Sequence, residues 1–317
     1  MSAGRRVRSF CGLVALTLAA GAAAGEEGAR GPYVVVLGIA QDAGFPQAGD
    51  KESPAWDDPS LRRHAACLAL VDPATSRRWL FEATPDFKEQ LRRLDVMAPD
   101  PDVPGLDGIF LTHGHIGHYT GLVHLGREAI GARAVPVWAM PRMTSFLRAN
   151  GPWELLVRLG NVELRPLADR RPVRLGSRLT VEPILVPHRD EYTETVGFEI
   201  RGPRRAVLFI PDVDKWTRLA ELGRSIEELV ARVDVAYLDG SFFEDGEIPG
   251  RDMSQIPHPF ISESIARFAS WPAAERAKVR FTHLNRTNPA LLAGSEARRA
   301  IAAAGLAVAR ELEKVDL

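Results

Sequence analysis

The stretch IFLTHGHIGHYTGL, residues 109–122, ends an apolar run with a dense cluster of histidines. Residues two apart in an extended segment point to the same side, so His113 and His115 can converge on one ion. Gly117 lets the chain turn, and His118 then approaches from a second direction. Imidazole is a ligand of zinc, iron, copper and nickel. This spacing at the end of a strand therefore predicts a metal site, in preference to a group of surface histidines.

The composition is ordinary for a globular enzyme and disfavours nucleic acid as a partner. The 317 residues are 45% hydrophobic and 26% charged, with a formal net charge of -1. A chain with so little net charge has no global field to attract nucleic acid or anionic lipid. We therefore expect a small-molecule substrate and no nucleic acid, while the oligomeric state is left open.

The N-terminal residues have the pattern of a secretory signal peptide, which we expect over residues 1–24. Arg5, Arg6 and Arg8 precede a short apolar run that ends in small residues at Ala22 and Ala24. The run is too short and too rich in Ala and Gly for a membrane span, although an uncleaved anchor is the alternative. We expect an exported protein, periplasmic or secreted, with no stable membrane insertion after cleavage. The Sec and twin-arginine routes are both open.

Short apolar runs alternate with helical patterns along the rest of the chain and predict one domain over residues 33–317. Several expected strands end in polar residues, namely His113, His188, Asp212, Asp239 and His283. A helix is expected over 121–132, directly after the histidine cluster. The runs of strands with helices between them predict an α/β (α+β) fold, a four-layer αββα sandwich with its active site at the strand ends.

The segment THGHIGHYTGL resembles the H-x-H-x-D-H signature of the metallo-β-lactamase superfamily, with Gly117 in place of the aspartate. Three later segments, LVPHRDEY, VLFIPDVD and RFTHLN, follow in the order of that superfamily. The resemblance implies the αββα fold and makes Asp212 a bridge between two metals and our catalytic candidate. The metal ligands that it implies are His113, His115, His118, His188, Asp212 and His283.

Other segments resemble the pyrroloquinoline quinone biosynthesis protein B-like branch of that superfamily. They include VVVLGIAQDAGFPQAG, YLDGSFF and THLNRTNPALL, and they extend in the same order over nearly all of residues 33–290. That branch typically carries cysteines after its FPQ segment, whereas AGDKESPAW has none, so we expect no structural zinc. The branch also tends to lose the first histidines of the signature, which this chain keeps.

The superfamily pattern gives the first metal a complete ligand set and the second an incomplete one. The first would take His113, His115 and His188, with Asp212 able to bridge. The second would take residue 117, His118 and His283, and Gly117 removes an anionic donor from it. We therefore expect one tightly bound zinc and a second site that is weak or empty, with iron or manganese as alternative metals. The acids considered as replacement donors are Asp42, Asp190 and Asp214.

The expected activity is hydrolysis of an ester, phosphodiester, lactone or amide by metal-bound hydroxide, because zinc lowers the pKa of its bound water to about 7. Two alternatives belong to other classes: a metal-dependent oxygenase related to the protein B branch, and a non-catalytic binder of small molecules. For Asn285 and Asn288, the alternative to shaping the site is capping of the following helix. The residues that could support the ligands or reach a substrate are Asp42, Asp214, Asp239, His258, Asn285 and Asn288.

Export makes a direct prediction about the mature chain. We expect it to begin close to Gly25, because the small residues before that position suit a signal peptidase. Intact-mass analysis of the protein from the native cell envelope measures this. A cytosolic protein that still begins at Met1 would contradict the prediction.

Overall fold

A computed structural model describes Met1 and residues 31–317, and the strands of that part pair into two mixed sheets. The expected signal peptide, 1–24, lies outside the described residues apart from Met1. The first sheet has the strand order β14-β1-β2-β3-β4-β5-β6 and the second β13-β12-β11-β10-β9-β8-β7. The strands are β1 (Tyr33–Gly38), β2 (Cys67–Asp72), β3 (Arg77–Phe81), β4 (Gly108–Phe110), β5 (Val135–Ala139), β6 (Val162–Pro166), β7 (Val173–Arg174), β8 (Thr180–Leu185), β9 (Val196–Arg201), β10 (Ala206–Ile210), β11 (Val235–Asp239), β12 (Val279–Thr282), β13 (Ala307–Val308) and β14 (Lys314–Asp316).

Helices cover the outer face of each sheet. Buried side chains of α1, α3 and α4 pack on the first sheet, and those of α5, α6 and α8 pack on the second. The four-layer αββα sandwich expected from the sequence is confirmed. None of the helices in the described part is long and apolar enough to cross a membrane. The α-helices are α1 (Phe87–Met97), α2 (Ile116–Tyr119), α3 (Pro141–Ala149), α4 (Trp153–Arg158), α5 (Ile226–Ala231), α6 (Ile261–Phe268), α7 (Ala273–Arg276) and α8 (Glu296–Ala303).

The first sheet is buried on both faces, by the second sheet on one side and by helices on the other. Successive side chains of a strand point to these two faces in turn. In β1, Val34 and Val36 belong to the core between the sheets, whereas Val35 and Leu37 pack beneath the helices. Aromatic rings join the two sheets. The rings of Phe81 and Phe110 in the first sheet stack at 5.1 Å, and Phe198 of the second meets them edge-on at 5.5 and 5.6 Å. Burial of each such ring contributes roughly 1.5–3 kcal/mol.

Strand direction brings several strand ends to one place. In the first sheet β3 and β4 are parallel, and β1 runs the same way because antiparallel β2 separates it from β3. In the second sheet β10, β11 and β12 are parallel, and β8 joins them in direction across antiparallel β9. A parallel bridge between Ala40 and Leu284 links the chain after β1 to the chain after β12. The carboxyl ends of these strands therefore meet at one edge of the sandwich.

The helix expected over 121–132 is wrong. The chain instead forms the short α2 and then a 3₁₀ helix, Thr120–Leu125, which ends at Gly126. Its backbone packs tightly on the turn after β3, where Gly121 N donates a hydrogen bond to Ala83 O at 2.9 Å. A Cβ on Gly121 would lie 2.2 Å from Thr84 O, so this close approach requires glycine. Tertiary packing has overridden a helical pattern here.

A buried arginine fixes the segment that leads into β4. The side chain of Arg78 is only 1% exposed and donates to the carbonyl oxygens of Gly105 (2.7 Å), Ala98 (2.7 Å) and Pro104 (3.2 Å). It also donates to Asp95 at 2.9 Å. These contacts hold the loop of residues 98–107, and the histidine cluster follows β4 directly.

We predict that Arg78→Ala lowers the free energy of unfolding by about 3 kcal/mol or more, because it leaves several buried acceptors without a donor. Denaturant titration measures the change. Arg165→Ala is the matched control, since that arginine is half exposed with one ion pair to Glu163, and we expect about 0.5 kcal/mol or less. Equal losses of stability in the two variants would contradict the role of Arg78 in holding the loop of residues 98–107.

Candidate metal centre

Three histidines and one aspartate point one atom each toward a common centre, which we call the first donor set. His115 Nδ1 lies 2.9 Å from His113 Nε2 and 3.2 Å from His188 Nε2. Oδ2 of Asp212 completes the set, 3.4 Å from His113 Nε2 and 3.3 Å from His188 Nε2. Ligands bound at 2.0–2.1 Å to a tetrahedral zinc lie roughly 3.4 Å apart. The spacing of the first donor set therefore fits one metal ion.

The opposite ring nitrogen of each of these histidines is held by the protein. Because an ionised carboxylate only accepts hydrogen bonds, the nitrogens of His115 and His188 that face acids carry the protons. With a metal bound, the nitrogens that face the centre would present lone pairs to it. The outer partners are Thr112 Oγ1 for His113 (2.8 Å), Glu191 Oε2 for His115 (2.8 Å) and Asp214 Oδ1 for His188 (3.1 Å).

Asp42, His118 and His283 form a second donor set beside the first. Oδ1 of Asp42 lies 3.2 Å from His118 Nε2 and 3.5 Å from His283 Nε2. All three atoms are buried and have no hydrogen-bond partner among the described residues. An unpaired buried polar atom costs about 1–3 kcal/mol, so three that converge fit a bound cation. Oδ2 of Asp212 lies 3.7 Å from His118 Nε2 and thus faces both donor sets.

The expectation that Gly117 leaves the second site without a carboxylate is corrected by Asp42. A Cβ on Gly117 would lie 2.2 Å from Oδ1 of Asp42 and 2.7 Å from its Cβ, so Asp42 fills the space of a side chain at 117. The other acids considered as replacement donors are engaged elsewhere. Asp190 accepts a hydrogen bond from Thr195 at 3.2 Å, and Asp214 faces His188.

Glu82, which the sequence analysis missed, supports the second donor set. Its Oε1 lies 3.2 Å from His118 Nδ1, and the residue is fully buried directly after β3. A φ of 89° at this non-glycine residue is strained backbone, which the surrounding packing must maintain. The other histidine, His283, has its Nδ1 2.9 Å from Ser241 Oγ, another unpredicted partner. An acid at the end of the buried run WLFE was the available signal for Glu82.

Asp239 and His258 lie behind the shared aspartate. His258 Nδ1 is 2.8 Å from Oδ2 of Asp239 and 3.2 Å from Oδ1 of Asp212. Oδ1 of Asp239 accepts from both the backbone N and Oγ of Ser241 at 2.8 Å. Asp239 therefore supports the ligands of the site and is not itself a member of either donor set. His258 is a buried part of this support and not an ordinary loop residue.

Neither Asn285 nor Asn288 belongs to a donor set. Asn288 Oδ1 accepts from Ala290 N at 2.9 Å and caps the 3₁₀ helix Pro289–Leu291, as the capping alternative stated. Asn285 donates through Nδ2 to Oε1 of Gln41, the residue before Asp42. Asn285 thus fixes the backbone that carries a donor, and Asn288 shapes the turn after His283.

The histidines around Asp212 keep its carboxylate ionised in the metal-free protein. Burial opposes ionisation of Asp212, but His188, His258 and His113 hold its pKa well below the usual range. Burial also lowers the pKa of His113, which favours the neutral form that a metal requires. For His188 burial is outweighed by the carboxylates of Asp212 and Asp214, which raise its pKa to about 10. A metal ion must displace this proton.

An αββα sandwich with two adjacent donor sets of histidine and aspartate at its strand ends defines a metal-binding protein of the metallo-β-lactamase fold. A family model described as the beta-lactamase superfamily domain matches residues 77–283, more than half of the chain. The chain belongs to the metallo-β-lactamase superfamily.

The relatives place it further within that superfamily. Coenzyme PQQ synthesis protein B of Xanthomonas campestris pv. campestris is 27% identical over 314 residues, covering 90% of this chain and 99% of that protein. The crystal structure of Zn²⁺-bound PqqB from Methylobacterium extorquens matches with a TM-score of 0.73 at 25% identity, covering 90% of this chain and 100% of that one. A diphosphatase of the PhnP family shares the fold, with a TM-score of 0.61 at 20% identity and coverage of 90% and 96%. The chain is thus PqqB-like, and zinc suits its donor atoms.

We predict that Glu82→Gln weakens zinc binding at the second donor set by roughly 10- to 100-fold, because outer partners of metal-bound histidines tune the ligand. The amide keeps the shape of the side chain and removes its charge. Competition with a chromophoric zinc chelator measures both affinities. Glu89→Gln, a half-exposed acid of α1, is the control and should change neither. Two unchanged affinities in Glu82→Gln would contradict the role of Glu82.

Proposed function

We propose that this protein is a metal-dependent hydrolase whose catalytic metal is held by His113, His115, His188 and Asp212. The first donor set carries the proposal, because one nitrogen from each of its three imidazoles and one carboxylate oxygen face a single point. A zinc ion bound there lowers the pKa of a water ligand to about 7 and so supplies hydroxide at neutral pH. The ester, phosphodiester, lactone or amide bond of a small molecule is the class of target.

The chain's own residues give this site its orientation. Glu191 and Asp214 each accept from the outer nitrogen of a histidine and thereby fix which nitrogen faces the centre. Asp212 is 3% exposed and contacts both donor sets through one oxygen, so it keeps them in register. The other oxygen of Asp212 lies 3.2 Å from Nδ1 of His258, which is itself 2.8 Å from Asp239. Pre-organised ligands of this kind need no rearrangement during a reaction.

Among these bond types, we favour the phosphodiester as the first to test. Two donor sets that share Asp212 Oδ2 suit a pair of metal ions, and such pairs stabilise both the attacking and the leaving oxygen of a phosphoryl group. The exposed side chains of Ile116 and Tyr192, at 69% and 61%, adjoin His115 and Glu191 in the chain. They favour a substrate that also carries an apolar group. We also propose that the mature enzyme acts outside the cytoplasm, as its N-terminal pattern suggests.

The likeness to coenzyme PQQ synthesis protein B favours a second candidate. Iron in the first donor set would suit an oxygenase, the second enzyme class expected from the sequence. Non-haem iron oxygenases commonly use two histidines and one carboxylate, with open positions for oxygen and substrate. The first donor set has three histidines and a carboxylate that is shared with a neighbouring set. This donor count makes hydrolysis the preferred function.

The test compares the wild type with His115→Ala after loading with zinc or manganese. We expect the wild type to hydrolyse bis(p-nitrophenyl) phosphate, and the variant to lose at least about 100-fold in kcat/KM, because one of the three histidines that hold the metal is gone. Metal content by elemental analysis should fall in parallel. His124→Ala is the matched control, because His124 belongs to neither donor set. Its ring stacks on that of Phe87, with 5.7 Å between the ring centroids.

Two outcomes would overturn the hydrolase proposal. Oxygen consumption by the iron-loaded protein, with no hydrolysis of phosphodiesters, carboxylic esters, lactones or amides, would establish the oxygenase. If His115→Ala kept its full metal content and hydrolysis, the first donor set would not be the site of the catalytic metal.

A further inference from the structure

The segment that carries Asp42 is fastened to the segment that carries His283. Gln41 N donates to Leu284 O at 2.8 Å, and Leu284 N donates to Ile39 O at 2.9 Å. These two bonds form a parallel bridge just before Asp42 and just after His283. The separation of the two side chains is therefore set by backbone hydrogen bonds between the two sheets.

Asp42 has an unfavourable backbone conformation, whose cost other interactions of the residue must offset. Its φ of 26° is positive, which costs a residue with a side chain about 1–3 kcal/mol. Its side chain is 47% exposed, yet Oδ1 points inward, where it is buried without a hydrogen-bond partner. A strained backbone that buries an unpaired carboxylate oxygen indicates a ligand for that oxygen. The nearest groups are two histidine nitrogens, both also unpaired.

Gly117 shows the complementary feature. Any side chain there would begin 2.2 Å from Oδ1 of Asp42, far inside contact distance. Gly117 lies in α2, and its φ is outside the positive range, so its backbone does not itself require glycine. The requirement comes from Asp42, whose carboxylate oxygen and backbone Cα would lie 2.2 and 2.4 Å from that Cβ.

We propose that Asp42 and Gly117 are a reciprocal pair, in which Asp42 supplies the carboxylate of a second metal site and Gly117 provides the space for it. The proposal rests on the proposed function only in treating the centre as a metal site. It assigns Asp42, His118 and His283, with the shared Oδ2 of Asp212, as ligands of a second divalent ion. The chain then binds two metals, in place of the one tight and one weak expected from the signature.

A side chain at 117 conflicts with both the carboxylate and the backbone of Asp42. A Cβ there would lie 2.2 Å from Oδ1 and 2.4 Å from Cα of Asp42, so even alanine would displace the segment that carries the carboxylate. Gly117→Ala therefore tests the pairing, because it adds no ligand and removes no charge.

The experiment measures zinc per chain by elemental analysis after saturation with zinc and removal of excess, with thermal unfolding to monitor folding. We expect about 2 ions in the wild type and about 1 in Asp42→Asn, which keeps the shape and loses the charge. Gly117→Ala should also bind about 1 and should melt lower, because its Cβ would displace the Asp42 carboxylate. Asp50→Ala is the control, an acid of the same loop that pairs with Arg286 at 3.8 Å.

Each result decides the proposal separately from hydrolysis. About 1 zinc in the saturated wild type, or about 2 in Asp42→Asn, would overturn it, and the hydrolase proposal would still stand on the first donor set. A folded Gly117→Ala variant that still binds about 2 zinc ions would refute the pairing with Gly117. Two ions in the wild type and one in Asp42→Asn, without any hydrolysis, would support Asp42 and refute the hydrolase.

Discussion

One carboxylate oxygen, Oδ2 of Asp212, is the point on which the centre depends. It lies within 3.3–3.7 Å of a nitrogen from His188, His113 and His118, which belong to two different donor sets. Its partner oxygen faces His258, so the carboxylate is oriented from both sides. Displacement of this side chain would disturb both donor sets together. The surrounding network of buried acids and histidines is best understood as the means of keeping that single oxygen in place.

The sandwich makes such a centre possible because each sheet contributes strand ends to the same edge. Glu82 and His113 come from the first sheet, and Asp212, Asp239 and His283 from the second. Backbone ladders fix these ends, while rings such as Phe110 and Phe198 set the distance between the sheets. The precision of the centre therefore derives from the core, far more than from the loops that carry the ligands. Rigid elements hold functional groups more accurately than loops do.

Periodicity predicted the αββα layers and strand-end polarity marked candidate residues, while the resemblance to the superfamily signature implied which histidines and aspartate bind metal. His188, Asp212 and His283 could be found because each follows an apolar run. Asp42 could be proposed but not ranked, since its role arises from a turn that pairs with Leu284 across the sheets. Glu82 escaped because its sequence context reads as the end of a strand, and its contact with His118 depends on packing. The helix expected after the cluster failed for the same reason, as Gly121 lies against Ala83.

The bridge between Ala40 and Leu284 closes a seam between the first strand of one sheet and a late strand of the other. Such a junction joins distant parts of the chain, so its closure carries a large entropic cost during folding. An ion held by Asp42 and His283 would act as a cross-link over this seam. Loss of the metal would then also loosen this seam, while the hydrophobic core still joins the two sheets. Resistance to proteolysis would then increase with metal occupancy, so the ion would have a structural role as well as a chemical one.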